Sequence, residues 1–245
     1  MVNLTFEIAC FMGKARAGKT LSMVANGYET LLAIKESVYY LEKKLKEKKK
    51  LTDTELRRYN LLADFKLMSN LNLNKKIFGN YKQMSAEMLL EMYKNKEEIK
   101  HYLILMDDLF KTLDNRDFLK EKNKIFSYFI TEIGKKENIL LYVSHFENMV
   151  ELRLRNFTEK FIYCQKGEFI NIKISNRNLR IFKEFDNYYD WEHNTKKENE
   201  MYIQQSILRN YVNLNNNLEV KKHIVAVEYV KANKYFNMYN TGEII

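Results

Sequence analysis

Proline is absent from the 245 residues, glycine occurs seven times, cysteine twice and tryptophan once. The missing proline accompanies a Lys-, Asn- and Ile-rich composition, the mark of an AT-rich coding sequence. No apolar run approaches the roughly 18–20 residues that cross a bilayer, and MVNLTFEIACFMG has no basic region ahead of its apolar residues. A membrane-spanning or exported chain is therefore excluded from the expectations, and the cytoplasm is the expected location. Cys10 and Cys164 lie in apolar, strand-like runs without CxxC spacing. They read as buried thiols, not as metal ligands or a disulfide, which suits a reducing compartment.

What is present suffices for one substantial core: 46% of the residues are hydrophobic, so one domain with a small appendage is expected. Lys and Arg total 41 against 32 Asp and Glu, a formal net charge of +9. That excess favours anionic partners such as nucleic acid or a membrane surface and says nothing of the fold.

LTFEIACFM (4–12) is a short run of strand formers closed by Gly13. From Lys19 onward apolar residues recur at Leu21, Val24, Tyr28, Leu31, Leu32 and Ile34, which is helical spacing. ESVYYLEKKLKEKKK prolongs that helix and LTDTELRRYNLLADF begins another, with Thr52 and Glu55 in capping-box spacing. A helical hairpin inserted over about 36–64 is the expectation. FKLMSNLNL (65–73) reads as a strand running into an Asn-rich turn, and SAEMLLEMYKN (85–95) as a helix. HYLILMDDLF, IFSYFITEIGKKE and NILLYVSH follow as strand, helix and strand, then KFIYCQKGEFINIKIS as a hairpin around Lys166-Gly167. Such alternation predicts an α/β fold with a mainly parallel central sheet flanked by helices on both faces.

GKARAGKT, Gly13 to Thr20, fills the first strand-to-helix loop of a glycine-poor chain. GxxxxGK[ST] in that context is a P-loop, whose glycines let backbone N–H groups turn inward around phosphate oxygens ahead of a helix N-terminus. Gly13, Lys14, Ala15, Arg16, Ala17, Gly18, Lys19, Thr20 and Leu21 are thus the expected nucleotide-binding residues. Lys19 would reach the β- and γ-phosphates, and the Thr20 hydroxyl would face Mg²⁺.

YLILMDDLF ends a buried strand on two carboxylates. Asp107 is the expected Walker B partner of Mg²⁺ through water, and Asp108 the base that polarises the attacking water. A third buried strand, 138–143, ends in Ser144 and His145, polar groups placed to sense the γ-phosphate or orient the water; Ser144 as a helix cap and His145 as a surface residue stay open. Arg153 and Arg155 follow, suited to reach a neighbouring subunit's phosphates or to pair with Glu147, Glu151 or Glu159. In KKLKEKKK, Lys43, Lys44, Lys46, Lys48, Lys49 and Lys50 offer charge to DNA phosphates, or simply end a solvated helix.

In their order, GKARAGKT, KLMSNLNL, LILMDDLFKTLDNRDF, LLYVSHFENMVELRLRNF and FIYC, over roughly 3–190, resemble the additional-strand P-loop ATPases of the FtsK/HerA superfamily. Within it the likeness is to the viral and plasmid branch, with its genome-packaging ATPases and zonula occludens toxin-like assembly ATPases. The resemblance implies a RecA-like P-loop core over 1–185 and a C-terminal extension, 186–245, packed on it. It implies an ATP- and Mg²⁺-dependent motor, usually a hexameric ring, that moves double-stranded DNA in a host cytoplasm, with a capsid or portal-vertex protein as a further partner. By position it makes Arg153 or Arg155 the finger acting in trans and matches Arg116 to an often basic place. His145 stands where Gln is usual, and Asp108 where Glu is usual.

Beyond the core, KKENEMYIQQSILRNYV (196–212) reads as an amphipathic helix and HIVAVEYVK as a strand. FDNYYDWEHN (185–194) and YFNMYNTGEII (235–245) share an aromatic, Tyr-Asp or Tyr-Asn pattern like the tails of relatives. This tail is expected to close the sheet or to form a subunit contact.

Overall fold

The structure of the chain, a computed structural model, describes residues 7–13, 16–109, 121–145, 152–165, 170–175, 224–229, 235 and 237–244. The expectations at Lys14, Ala15 and Arg116, the helix over 196–212 and the FDNYYDWEHN segment lie outside the described residues.

The elements in chain order begin with β1 (Ile8–Met12), α1 (Lys19–Lys46), α2 (Asp53–Ala63), β2 (Lys66–Ser69) and β3 (Leu71–Leu73). Next come α3 (Lys75–Phe78), β4 (Lys82–Gln83), α4 (Ala86–Lys94), β5 (Tyr102–Met106) and α5 (Glu121–Glu132). The rest are β6 (Ile139–Val143), α6 (Leu152–Phe157), β7 (Lys160–Gln165), β8 (Ile170–Ser175), β9 (Ile224–Tyr229) and β10 (Tyr239–Ile244).

Six strands run parallel in the order β4-β2-β5-β6-β1-β7, and β8 and β9 extend the sheet antiparallel beyond β7. Because β6 lies between β1 and β5, the glycine loop and the aspartate pair leave strands separated by one added strand. Three loops, after β1, β5 and β6, therefore open side by side at the carboxyl edge, where ligands of parallel sheets bind. This is the additional-strand P-loop NTPase fold that the alternation and the motifs predict.

Burial follows the two-residue period of a sheet covered on both faces. Ile8, Cys10 and Met12 of β1, with Ile104, Met106, Leu140 and Tyr142, face a core closed by Leu89 and Leu90 of α4 and Phe126, Phe129 and Ile130 of α5. Ala9 and Phe11, with Leu103, Leu105, Leu141 and Val143, face the other core, closed by Leu21, Val24 and Leu31 of α1. Each such aliphatic side chain stabilises the fold by roughly 1.5–3 kcal/mol. Cys10 and Cys164 are buried thiols, as expected, and burial pushes the Cys164 thiol up to about 12.

Two expectations change in detail. Helix α1 runs unbroken from the glycine loop to Lys46, so the hairpin's first arm is the outer half of the P-loop helix itself. Its second arm starts at the expected capping box: the Thr52 side chain accepts from the Glu55 N–H, and the Glu55 carboxylate accepts from the Thr52 N–H. The strand read over 65–73 divides at Asn70 into β2, in the main sheet, and β3, which leaves it to pair antiparallel with β10. Of the C-terminal tail, β9 extends the main sheet next to β8, while β10 forms a separate two-stranded ribbon.

Candidate nucleotide-hydrolysis site

The loop after β1 owes its shape to two glycines. At Gly13, φ is +144°, and a Cβ there would run into the backbone carbonyl of Cys164 on β7. Gly18, at φ +80°, takes the left-handed conformation at the N-cap of α1, where a glycine contributes no capping side chain. The first turn of α1 contains no acidic residue, so its N–H groups face the loop without a competing side-chain anion.

Arg16 is exposed, Ala17 is buried, and Leu21 is turned into the core beneath the loop, leaving only its backbone for a phosphate. Lys19 is 6% exposed. Burial holds its ammonium below the ordinary lysine value, with Cys164, Asp107 and Asp108 acting in the opposite sense. A buried cation of this kind is stabilised by anionic oxygens, which a polyphosphate supplies.

The Thr20 hydroxyl donates to Asp107 Oδ2 at 2.9 Å, joining the glycine loop to the end of β5 across the intervening β6. The other Asp107 oxygen, Oδ1, accepts from the Asp108 N–H at 3.0 Å. Burial pushes the Asp107 carboxyl up; the Thr20 hydrogen bond and the Lys19 charge pull it down, and the Asp108 charge pushes it further up. A buried carboxylate and a hydroxyl with a second carboxylate next in the chain suit a small, hard divalent cation that keeps water and phosphate as its other ligands. Among the described residues no cluster of three or more His, Cys, Asp or Glu could hold a metal ion. Mg²⁺ fits this donor set, and Thr20 and Asp107 are the residues that would hold it.

Asp108 follows with φ +49°, in the left-handed region. Its Oδ1 lies 4.0 Å from His145 Nε2, while His145 Nδ1 lies 3.3 Å from Lys19 Nζ. An ammonium has only hydrogens to give, so Nδ1 accepts and the ring proton sits on Nε2, facing Asp108. His145 thus stands between the lysine and the second carboxylate. Ser144 is fully buried at the end of β6, and its N–H donates to the Phe11 carbonyl, continuing the β1–β6 ladder.

Of the arginines, Arg155 is half-buried on α6, and the Arg153 side chain lies outside the described residues. Burial pushes the buried Tyr142 phenol well above its ordinary value, and the Arg155 charge is among the influences opposing this. Helix α6 is tied to the sheet by the Tyr142–Thr158 hydroxyl contact of 2.8 Å. In the lysine-rich hairpin, Lys44 pairs with Glu55 at 2.5 Å and Lys49 with Glu47 at 2.7 Å.

The motifs do not single out Asn70. Its side chain donates to the Asp107 carbonyl at 2.8 Å and accepts from the Asp107 N–H at 2.8 Å. The one signal is an amide inside the apolar run KLMSNLNL, where a buried polar group needs partners.

No family model and no curated protein matches the chain. Among solved structures, the chain is similar to the N-terminal domain of zonular occludens toxin from Neisseria meningitidis, at 14% identity and a TM-score of 0.44, over 74% of this chain and 91% of that one. It is also similar to the genome packaging NTPase B204 from Sulfolobus turreted icosahedral virus 2 in complex with ATP-gammaS, at 6% identity and a TM-score of 0.34, over 64% of this chain and 74% of that one. Among the described residues no helix is long and apolar enough to cross a membrane.

Proposed function

We propose that the chain is a Mg²⁺-dependent ATPase that works as a hexameric ring and moves double-stranded DNA, in its most concrete form packaging a viral genome into a capsid. The hydrolytic part rests on the 2.9 Å Thr20–Asp107 hydrogen bond, which brings the two halves of a nucleotide-metal site together from 87 residues apart. The DNA-moving part rests on the net charge of +9 and on the order of motifs along the chain.

In the reaction, water attacks the γ-phosphorus, the bond to the β-bridging oxygen breaks, and the water proton passes to Asp108. A bound Mg²⁺ would neutralise charge on the β- and γ-oxygens. Thr20 and Asp107 would hold that cation, and Lys19, already stripped of most water, meets the charge that develops on the leaving oxygens. His145 orients Lys19 through Nδ1 and faces Asp108 through Nε2–H, so one ring reads the γ-phosphate and the base together. Arg153 or Arg155 of a neighbouring subunit supplies the remaining positive charge. A capsid or portal-vertex protein is the docking partner that this role implies.

The test is phosphate release with Mg²⁺ over a salt series, with and without double-stranded DNA, with particle size followed in the same samples. Expected are DNA-stimulated hydrolysis that fades with salt, particles of several chains, and a loss of about 10²–10³-fold in Lys19→Ala. Absence of hydrolysis throughout, or its survival in Lys19→Ala, overturns the ATPase. Nucleotide-dependent assembly that survives Asp108→Asn without turnover identifies a nucleotide-binding adaptor instead. Hydrolysis in assemblies indifferent to DNA identifies a virion-assembly ATPase.

A further inference from the structure

Strand β2 pairs with β5 in regular parallel register, Lys66 with Tyr102 through Ser69 with Leu105. One residue later the backbones part. The Asn70 N–H still reaches the Leu105 carbonyl at 3.3 Å, but the chain then turns away into β3. What continues toward the end of β5 is the Asn70 side chain. Its amide donates to the Asp107 carbonyl and accepts from the Asp107 N–H, each at 2.8 Å, as a neighbouring strand's peptide group would. The side chain therefore stands in for a strand residue that the backbone no longer provides, and it does so at the residue whose carboxylate meets Thr20.

Asn70 is itself held from both sides. The Leu71 N–H donates to Ser69 Oγ at 3.0 Å, and the Leu73 N–H donates to the Tyr81 hydroxyl at 2.9 Å. Opposite β3 lies β10, with Tyr239 across from Leu73 and Ile244 across from Leu71. Asn74 extends the contact: its N–H donates to the Met238 carbonyl at 2.8 Å and its side chain to the Asn237 carbonyl at 3.0 Å. The Tyr235 hydroxyl donates to Glu29 on α1 at 2.8 Å, tying the same segment to the P-loop helix. Tyr239 sits near enough to feel the site, since burial and then the Asp107 charge push its phenol up to about 12.

We infer that Asn70, braced by the β3–β10 ribbon, is a positioning residue that sets the Asp107 carboxylate against Thr20 for the cation. The peptide of Asp107 is pinned at both its N–H and its carbonyl, so the carboxylate has little freedom beyond its own side-chain torsions. Oδ2 then meets Thr20 and Oδ1 meets the Asp108 N–H. Loss of the amide frees the peptide, and the two oxygen donors no longer share one cation. The inference rests on the nucleotide-metal reading of the site.

A matched control exists on the same strand. Asn138 makes a related pair of backbone bonds at the opposite end of β5, accepting from the Tyr102 N–H and donating to the carbonyl of Ile99, which precedes the strand, each at 2.8 Å. The experiment titrates Mn²⁺ by electron paramagnetic resonance into full-length protein with a non-hydrolysable ATP analogue, and measures analogue binding in EDTA. In Asn70→Ala the Mn²⁺ affinity is expected to fall about tenfold while analogue binding in EDTA holds, a change of about 1.4 kcal/mol. Asn138→Ala is expected to lose stability with Mn²⁺ affinity unchanged. Asn70→Leu, which fills the same space with apolar atoms, repeats the measurement should the alanine variant unfold. Equal Mn²⁺ affinity in wild type and Asn70→Leu overturns the positioning role. Absence of analogue-dependent Mn²⁺ binding in wild type overturns the nucleotide-metal reading itself.

Discussion

The two ends of β5 are each held by an asparagine side chain and differ in the surroundings of their charged groups. At each end an asparagine from a neighbouring segment bonds the backbone of the strand, Asn138 at Tyr102 and Ile99, Asn70 at Asp107. At the amino end the charged groups nearby have hydrogen-bonding partners: His101 lies between Asp64, at 3.1 Å, and Glu137, at 2.8 Å. Its hydrogen bond is the first cause of the lowered Asp64 carboxyl, followed by that of Lys66. At the carboxyl end burial raises Asp107, with Asp108 beside it, and lowers Lys19. Left-handed residues occur at both ends, His101 and Glu137 at one, Asp108 at the other. Only the first two have side chains that bond each other. One end is satisfied as folded, and the other keeps an electrostatic cost that a ligand relieves.

The largest effect that breaks this contrast is Asp107→Asn. Hydrolysis is expected to fall by at least about 10²-fold, since the substitution removes the anionic half of the cation site. Stability without metal is expected to rise. The folded carboxyl holds its proton to a higher pH than the unfolded one, so ionisation costs stability between those two values, and fully above the folded value. Asparagine carries no such cost. Melting in EDTA at pH 8 should therefore be higher for Asp107→Asn, by about a few degrees, and the gap should close as pH falls to the unfolded carboxylate range. A variant that melts lower at pH 8 would show that the Thr20–Asp107 bond outweighs the burial cost.

Asn138→Ala sharpens the other side. It leaves the Tyr102 N–H and the Ile99 carbonyl without their side-chain partner in a buried place. The expected loss is about 2 kcal/mol, or roughly 6 °C in melting temperature for a chain of this length. Turnover per folded molecule should stay at the wild-type value, because β5 remains anchored at Asp107. A fall in turnover at temperatures where the variant is fully folded would mean that the two ends are coupled through the strand.

Much of the carboxyl end was legible because its signals are local. Gly13 and Gly18 stand five apart before Lys-Thr in a glycine-poor chain, and four apolar residues run directly into Asp107-Asp108. Such patterns fix a strand, a turn and a helix within a few residues. Asn70 was not legible as a clamp because its partner is 37 residues away, and asparagine beside a strand also signals a turn. The division of 65–73 into β2 and β3 depends on β10, more than 160 residues further on, which no local period records. Neither did the sequence point to the His101 cluster, whose members 64, 101 and 137 meet only once β2, β5 and β6 lie side by side.

The smallest effect tests the amino end by pH. A carboxyl lowered on folding contributes stability above its unfolded value and loses that contribution as pH falls through the folded one. Asp64 is of this kind, but its side chain is 53% exposed, so solvent screening reduces the gain to a few tenths of a kcal/mol, about the size of a surface pair. Asp64→Asn should lower the urea midpoint slightly at pH 7 and leave it equal to wild type once the pH is below the ordinary carboxylate range. An equal deficit at both pH values would mean that Asp64 holds His101 by shape and neutral hydrogen bonding. The contrast between the two ends would then lie in geometry at one end and in charge at the other.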